Sequence, residues 1–367
     1  MSSEQSFTPS HYESQLKAKI KALKQALKTA KLEVPNISVF PSPPQNFRMR
    51  AEFRIWHEQG RAHYAMNRSG EKKPYIIDSF PIGSALINRL MTPILDAINA
   101  NNNLSNRLFS IEFLTTTSEQ ALVTLIYHRR LDEQWQMEAE KLQNALNIKI
   151  IGRSRKQKLV LDVDYVTEKL TVQGKDYLYR QVESGFTQPN ATINCEMLNW
   201  ASLCLDESSG DLIELYCGNG NFTAVLAQHF DRVLATEIAK ISVNSALENF
   251  KQNQIDNVTV VRLSSEELTQ ALNKEREFRR LADVDIDSYN FSTIFVDPPR
   301  AGLDSGTERL VAEFENILYI SCNPETLIEN LKNITRTHKI VAMALFDQFP
   351  WTEHIESGIY LQRKGNI

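Results

Sequence analysis

Cys322 closes the run Ile317-Leu318-Tyr319-Ile320-Ser321, and its type and place make it the first candidate for chemistry in the chain. A short apolar run stopped by Asn323-Pro324 predicts a buried strand. Open α/β sheets gather their ligands at the carboxyl ends of strands, where this thiol then lies. The plain alternative is a packed core cysteine, since free Cys is among the most buried residue types. Three other segments set that alternative aside. Thr293-Ile294-Phe295-Val296 is a second apolar run, ending on Asp297, and Pro298-Pro299 removes two backbone donors and stiffens the loop beyond. Such a loop aims a carboxylate at a ligand. Glu214-Leu215-Tyr216-Cys217-Gly218-Asn219-Gly220 ends a third strand and opens a helix, and its glycines allow a sharp turn and close approach to a ligand. Glu237 stands 19 residues beyond Gly218, at the next strand end, where an acid accepts hydrogen bonds from ribose hydroxyls.

The same residues bear on the cofactor. A dinucleotide asks for a third glycine at position 223, and Thr223 stands there. S-adenosyl-L-methionine has no phosphate and needs only the loop and the acid, so the pattern favours a methyltransferase sheet over a dehydrogenase. Arg300 follows Pro299 where enzymes that methylate adenine amino groups keep an aromatic, which argues against adenine as the target.

The elements that must hold these groups come in two rhythms. Past residue 185, strands at 211–216, 232–236, 258–262, 293–296, 317–320, 340–346 and 355–361 alternate mostly with helical stretches. That predicts a doubly wound, Rossmann-like seven-stranded sheet whose last two strands, joined by a short link, are antiparallel. Before it, Leu16, Ile20, Leu23 and Leu27 space a helix over 11–31, and four prolines between 35 and 44 make an extended connector. From Phe47 to Ile55 apolar residues alternate with Arg48, Arg50, Glu52 and Arg54, a half-buried strand with one basic face. Further strands near 62–66, 109–114, 121–127 and 158–163, with helices at 83–100 and 132–146, predict an α+β unit on an antiparallel sheet. The expected division is 1–184 and 185–367.

Charge separates the same halves. Residues 1–180 hold 26 Lys and Arg against 18 Asp and Glu, and the rest hold 15 against 27. A basic first half predicts a polyanionic partner. The polar amino terminus has neither the cationic nor the apolar stretch of a signal, and four scattered cysteines are expected to form neither a zinc site nor a disulfide framework. A reducing cytoplasm is the expected compartment.

Taken together, Leu215-Tyr216-Cys217-Gly218-Asn219-Gly220-Asn221-Phe222, Asp297-Pro298-Pro299-Arg300-Ala301-Gly302, Ser321-Cys322-Asn323-Pro324 and Phe346-Asp347-Gln348-Phe349-Pro350 strongly resemble the RNA (uracil-5-)-methyltransferases. Arg48-Met49-Arg50-Ala51-Glu52-Phe53-Arg54 and Phe186-Thr187-Gln188-Pro189-Asn190 extend the likeness over nearly the whole chain. Ribosomal-RNA members usually add a barrel and a four-cysteine iron–sulfur cluster, and no cysteine precedes Cys195 here. The resemblance therefore implies the transfer-RNA branch, whose target is the T-loop uridine at position 54, with a T-loop-like segment of transfer-messenger RNA as a further substrate of some members. It implies an α+β RNA-binding domain ahead of the methyltransferase domain, no metal, no cluster and no obligatory protein partner.

The roles it implies are Cys322 as nucleophile and Glu356 as proton acceptor. Gln188, Tyr216, Asn221, Glu237 and Asp297 would hold S-adenosyl-L-methionine, and Arg48, Arg50 and Arg54 would meet RNA. Carbon 5 of uracil is a weak nucleophile. A thiolate adding to carbon 6 makes it enolate-like, and a base must then remove the carbon-5 proton so that the thiolate can leave. Nothing beside Cys322 in sequence explains its ionisation. His354 is read as structural, and Phe109 as a core aromatic rather than a stacking platform. A ribosomal-RNA enzyme without its cluster and a transfer-RNA-folding module remain the alternatives.

Overall fold

Helix α1 (Pro9–Thr29) opens the computed structural model, which describes residues 8–67, 70 and 73–365. The polar stretch 1–7 lies outside the described residues. Pro9 starts α1 where a missing N–H costs nothing, and Leu23 and Leu27 bury its apolar stripe. A short strand, β1 (Ile37–Phe40), follows before the proline-rich connector continues.

Seven strands then form one sheet: β2 (Arg50–Glu58), β3 (Arg61–Met66), β4 (Tyr75–Ile76), β5 (Leu108–Thr115), β6 (Ala121–Tyr127), β7 (Lys149–Ser154) and β8 (Gln157–Val160). Their order is β4-β3-β2-β5-β6-β7-β8. Helix α2 (Ala85–Ala100) and the helix Glu133–Leu146 bury Ile87, Ile94 and Trp135 against Phe53, Phe113 and Val123 of this sheet. The sheet is antiparallel except at β6–β7, where the helix Glu133–Leu146 serves as crossover and the pair runs parallel. A hairpin not anticipated from the sequence, β9 (Tyr165–Val172) and β10 (Lys175–Val182), turns at Gln173-Gly174, both at positive φ (49° and 77°). Both central residues at positive φ suit the twist of a two-residue hairpin.

The second sheet contains the seven expected strands, β11 (Asp211–Leu215), β12 (Val233–Thr236), β13 (Val258–Val261), β14 (Phe291–Val296), β15 (Asn316–Ser321), β16 (His338–Phe346) and β17 (Glu356–Arg363). It has an eighth as well. The order is β1-β16-β17-β15-β14-β11-β12-β13, with β17 antiparallel to both neighbours. Strand β1 pairs in parallel with β16, Ile37 against Met343 and Phe40 against Phe346. Leu23 and Leu27 of α1 share an apolar layer with Tyr319, Leu345 and Ile359. Packing crosses the expected division at 184: α1 and β1 pack with the second sheet, and Leu170, Val172, Tyr177 and Tyr179 of the β9–β10 hairpin share a core with Met197, Phe222 and Phe346. The physical reason is that α1 needs a cover for its apolar stripe and β16 would otherwise be an open edge. Among the described residues no helix is long and apolar enough to cross a membrane.

Candidate active site

The carboxyl ends of β11, β12, β14 and β15 point the same way, and antiparallel β17 starts at that end. Register brings Cys322 and Glu356 together. Ser321 of β15 pairs with Ser357 of β17, so one step further places Cys322 opposite Glu356. Val296 of β14 pairs with Tyr319 of β15, so Asp297 comes beside Ile320, two residues short of Cys322 at the same end of the sheet. All seven residues assigned above to catalysis or cofactor line one cavity of about 560 Å³: Gln188, Tyr216, Asn221, Glu237, Asp297, Cys322 and Glu356.

Local backbone aims several of these groups. Tyr216 stands at φ 61°, a left-handed conformation uncommon for a bulky residue, and its hydroxyl donates to Ser265 Oγ at 2.7 Å. A Cβ on Gly220 would lie 2.7 Å from the Phe250 ring, so only glycine lets the loop pack on the helix Lys240–Gln252. Glu237 is held by backbone donors, Gly218 N to Oε2 at 3.1 Å and Ala239 N to Oε1 at 2.7 Å. Asn221 pairs reciprocally with Asn194, at 2.8 and 2.9 Å. Gln188 Oε1 accepts from Gln348 Nε2 at 2.7 Å.

Sequence reasoning missed Glu214, the penultimate residue of β11. It is 1% exposed and lines the cavity, and its Oε2 has no hydrogen-bond partner among the described residues. Gln181 Oε1 is a second orphaned acceptor on the same wall. An acid inside the apolar run Leu212-Ile213-Glu214-Leu215 was the available signal, because buried carboxyls rarely lack a purpose. With Glu237, Asp297 and Glu356, the wall has four carboxyl groups against one guanidinium, Arg300. Orphaned acceptors and acidic lining fit S-adenosyl-L-methionine, which brings an ammonium, a sulfonium and ribose hydroxyls. Phe186, 72% exposed at the same cavity, was also missed as an individual contact.

Burial sets the protonation states. It pushes the Glu214 carboxyl up to about 8 and Asp297 up to about 7. Glu356 is raised well above the usual carboxylate range, first by burial and then by Asp297, with Arg300 acting the other way. The Cys322 thiol is raised to about 11 by burial and then by Glu356 and Asp297, while Arg300 favours the thiolate. Cys322 directly precedes Asn323, the cap of the helix Pro324–Ile334, whose side chain accepts from Glu325 N at 3.1 Å. Arg300 and this helix start supply the positive field that the local sequence lacked.

The arginines of the first sheet divide. Arg50 pairs with Glu112 and donates to the carbonyls of Gly185 (2.7 Å) and Glu183 (2.6 Å), which makes it a tie between segments. Arg48 is half-buried, and its Nε donates to Arg50 O at 2.9 Å. Arg54 is exposed and lies 5.6 Å from the Phe109 ring, which stacks on His128 at 4.2 Å. Phe109, expected in the core, is half-exposed in that stack. His354 is exposed, with Nδ1 at 3.4 Å from Nη2 of Arg300, which lines the cavity.

A sequence model of the tRNA (uracil-5-)-methyltransferase family matches residues 11–364. A tRNA/tmRNA (uracil-C(5))-methyltransferase of Cellvibrio japonicus is 54% identical over 358 residues, covering 98% of this chain and 97% of the relative. Its counterpart in Teredinibacter turnerae is 57% identical over 331 residues, 89% of this chain and 91% of the relative. Among solved structures, the Pyrococcus abyssi tRNA (uracil-54, C5)-methyltransferase in complex with S-adenosyl-L-homocysteine aligns with a TM-score of 0.71 at 21% identity, over 95% of this chain and 83% of that one. That likeness extends the shared fold across both sheets.

Proposed function

The chain belongs to the tRNA (uracil-5-)-methyltransferase family, and from that premise we propose that it methylates carbon 5 of the T-loop uridine at position 54 of transfer RNA through a covalent Cys322 adduct. One observation carries this reading: strand register sets Cys322 opposite Glu356, on the wall of a cavity shared with Gln188, Tyr216, Asn221, Glu237 and Asp297. S-adenosyl-L-methionine, bound there, supplies an electrophilic methyl group. Cys322, partly exposed, gives its proton to water, with Arg300 favouring the thiolate, and Sγ then bonds to carbon 6, which loads electron density onto carbon 5. After carbon 5 has taken the methyl group, Glu356 accepts the carbon-5 proton, and the electron pair left behind expels the Cys322 thiolate. Glu356 is buried, and burial disfavours its charged form. Arg300 is the group that favours its charged form and, with it, its work as a base.

The division proposed is an RNA-binding unit ending by residue 184 and a methyltransferase unit on 185–367, the latter packed on α1, β1 and the apolar face of the β9–β10 hairpin. The Arg54–Phe109–His128 stack offers a loop base an aromatic face and a phosphate a cation. A groove of about 1000 Å³ nearby, lined by His128, Arg130, Arg155 and Lys156, continues the positive surface. Transfer-messenger RNA with a T-loop-like segment suits the same site, and the four free cysteines suit a cytoplasmic enzyme.

Mass mapping of 5-methyluridine in RNA from a deletion strain tests the substrate. Loss at transfer-RNA position 54 supports it; loss confined to ribosomal RNA overturns it. Two variants test the site's halves. Glu237→Ala weakens S-adenosyl-L-methionine by about 10–100-fold, the worth of charge-assisted hydrogen bonds, and leaves transfer-RNA affinity unchanged. Calorimetry that finds cofactor affinity intact removes Glu237 from the site. Arg54→Glu weakens transfer-RNA binding and flattens its salt dependence by about one phosphate contact. Arg50→Ala acts instead on the fold. Stranding the half-buried Glu112 lowers stability by about 1.5–3 kcal/mol in denaturant titrations, with little change in salt slope.

A further inference from the structure

Gln348 of Phe346-Asp347-Gln348-Phe349-Pro350 holds Gln188, but Asp347 has no part in the chemistry described so far, yet is 0% exposed. Its partner comes from the other end of the chain. Lys19 of α1 donates through Nζ to Asp347 Oδ1 at 2.6 Å, Phe349 O at 3.0 Å and His354 O at 3.0 Å. An ammonium has three donors, and all three fall on the loop between β16 and β17. The same helix adds Gln15, whose Oε1 accepts from Trp351 N at 2.8 Å, and Tyr12, whose ring lies 5.9 Å from that of Trp351. The connector adds Pro44, whose carbonyl accepts from Trp351 Nε1 at 2.7 Å. This loop runs straight into Glu356, and its His354 contacts Arg300 at the cavity.

A buried ion pair is a poor source of net stability, because desolvating both charges offsets most of their attraction. What such a pair does well is fix geometry. A lysine that places every donor on one loop, two residues short of the base, is arranged for that purpose. We propose that α1 is a clamp on this loop and that Lys19 is a positioning residue for Glu356. The proposal rests on the reading of Glu356 as the proton acceptor. Displacing a catalytic group by about 1 Å lowers rates on the order of 10²-fold. Loosening α1 should therefore slow proton removal and release of Cys322, and spare cofactor binding and the first bond to carbon 6.

The experiment follows single turnovers with labelled S-adenosyl-L-methionine and transfer RNA on denaturing gels, which resolve protein joined to RNA. Wild type, Glu356→Gln, Lys19→Met and Gln15→Ala/Trp351→Phe are compared. The last loosens the same loop without leaving a buried charge, and so covers the case in which Lys19→Met fails to fold. The expected result is a shifted band in both α1 variants that outlives the wild-type adduct by about 10²-fold, with cofactor affinity within about threefold of wild type. If Glu356→Gln traps RNA and the α1 variants release it at the wild-type rate, α1 only supports the fold and the clamp is overturned. If Glu356→Gln itself traps nothing, the assignment of the base falls, and the clamp falls with it.

Discussion

Cys322→Ala abolishes methylation and leaves no protein joined to RNA, whereas Glu356→Gln adds to the uridine, transfers the methyl group and then stalls as an adduct. The two outcomes differ because the residues act on opposite sides of methyl transfer. Without the thiol no bond to carbon 6 forms and carbon 5 never gains nucleophilic character. Without the carboxylate the carbon-5 proton stays, and Cys322 has no electron pair to expel it. Loss of a positioned base lowers a rate by about 10²–10⁴-fold, long enough for the stalled species to accumulate. A denaturing gel shows a retarded protein band for Glu356→Gln and none for the double variant. 5-Fluorouridine at the target traps wild type in the same way, since fluorine cannot depart as a proton does. An adduct in Cys322→Ala would move the nucleophile to another residue. The raised thiol adds a dependence on pH. With Cys322 near 11, its alkylation in the free protein rises about tenfold per pH unit between 7 and 10. Peptide mapping separates that rate from those of Cys195 and Cys204, which are also raised by burial.

What could be read in the sequence, and what could not, divides along the range of the contacts. Cys322, Asp297 and Glu237 each end an apolar run, and the position of a side chain at a strand end is a local property. Glu356 is different. Its pairing row, Ser321 against Ser357, joins segments 36 residues apart through a register that no local pattern encodes. Only the family likeness had singled it out. Lys19 and Asp347 lie 328 residues apart, and an amphipathic lysine-rich helix looks like any solvated surface until its partner is known. Alternation from Phe47 to Ile55 put Arg48, just ahead of β2, and Arg50 and Arg54 on it, off the core. It could not tell that Glu112 and the carbonyls of Glu183 and Gly185 converge on Arg50 while Arg54 stays outside. Strand β1 was missed because four residues between prolines carry too short a pattern, and its pairing is with a strand three hundred residues later.

Glu214→Gln should make the free protein more stable at alkaline pH and a poorer binder of its cofactor. An unfolded glutamate titrates near 4.5, and burial raises Glu214 to about 8 in the fold. A raised carboxyl stabilises the fold fully below its unfolded value. That contribution is lost as pH climbs through the folded one, so stability of the free wild type declines between about pH 5 and 8. Each unit of difference is worth about 1.4 kcal/mol, which puts the loss from Glu214 on the order of 4 kcal/mol by pH 8.5. Glutamine carries no charge to desolvate, so urea titrations should find the variant close to wild type at pH 5 and several kcal/mol above it at pH 8.5. Part of the slope persists in the variant, because Asp297, raised to about 7, loses its contribution over a similar window. A cationic ligand reverses the preference of both groups. The ammonium and sulfonium of S-adenosyl-L-methionine favour ionised Glu214 and Asp297, so binding at pH 7 should expel about one proton or slightly more. Calorimetry in two buffers of different ionisation enthalpy reads that number directly, and Glu214→Gln should lower it together with the affinity. A binding heat that is the same in both buffers would mean that neither carboxyl faces the cofactor's charges, and Glu214 would then be a buried acid with no part in the site.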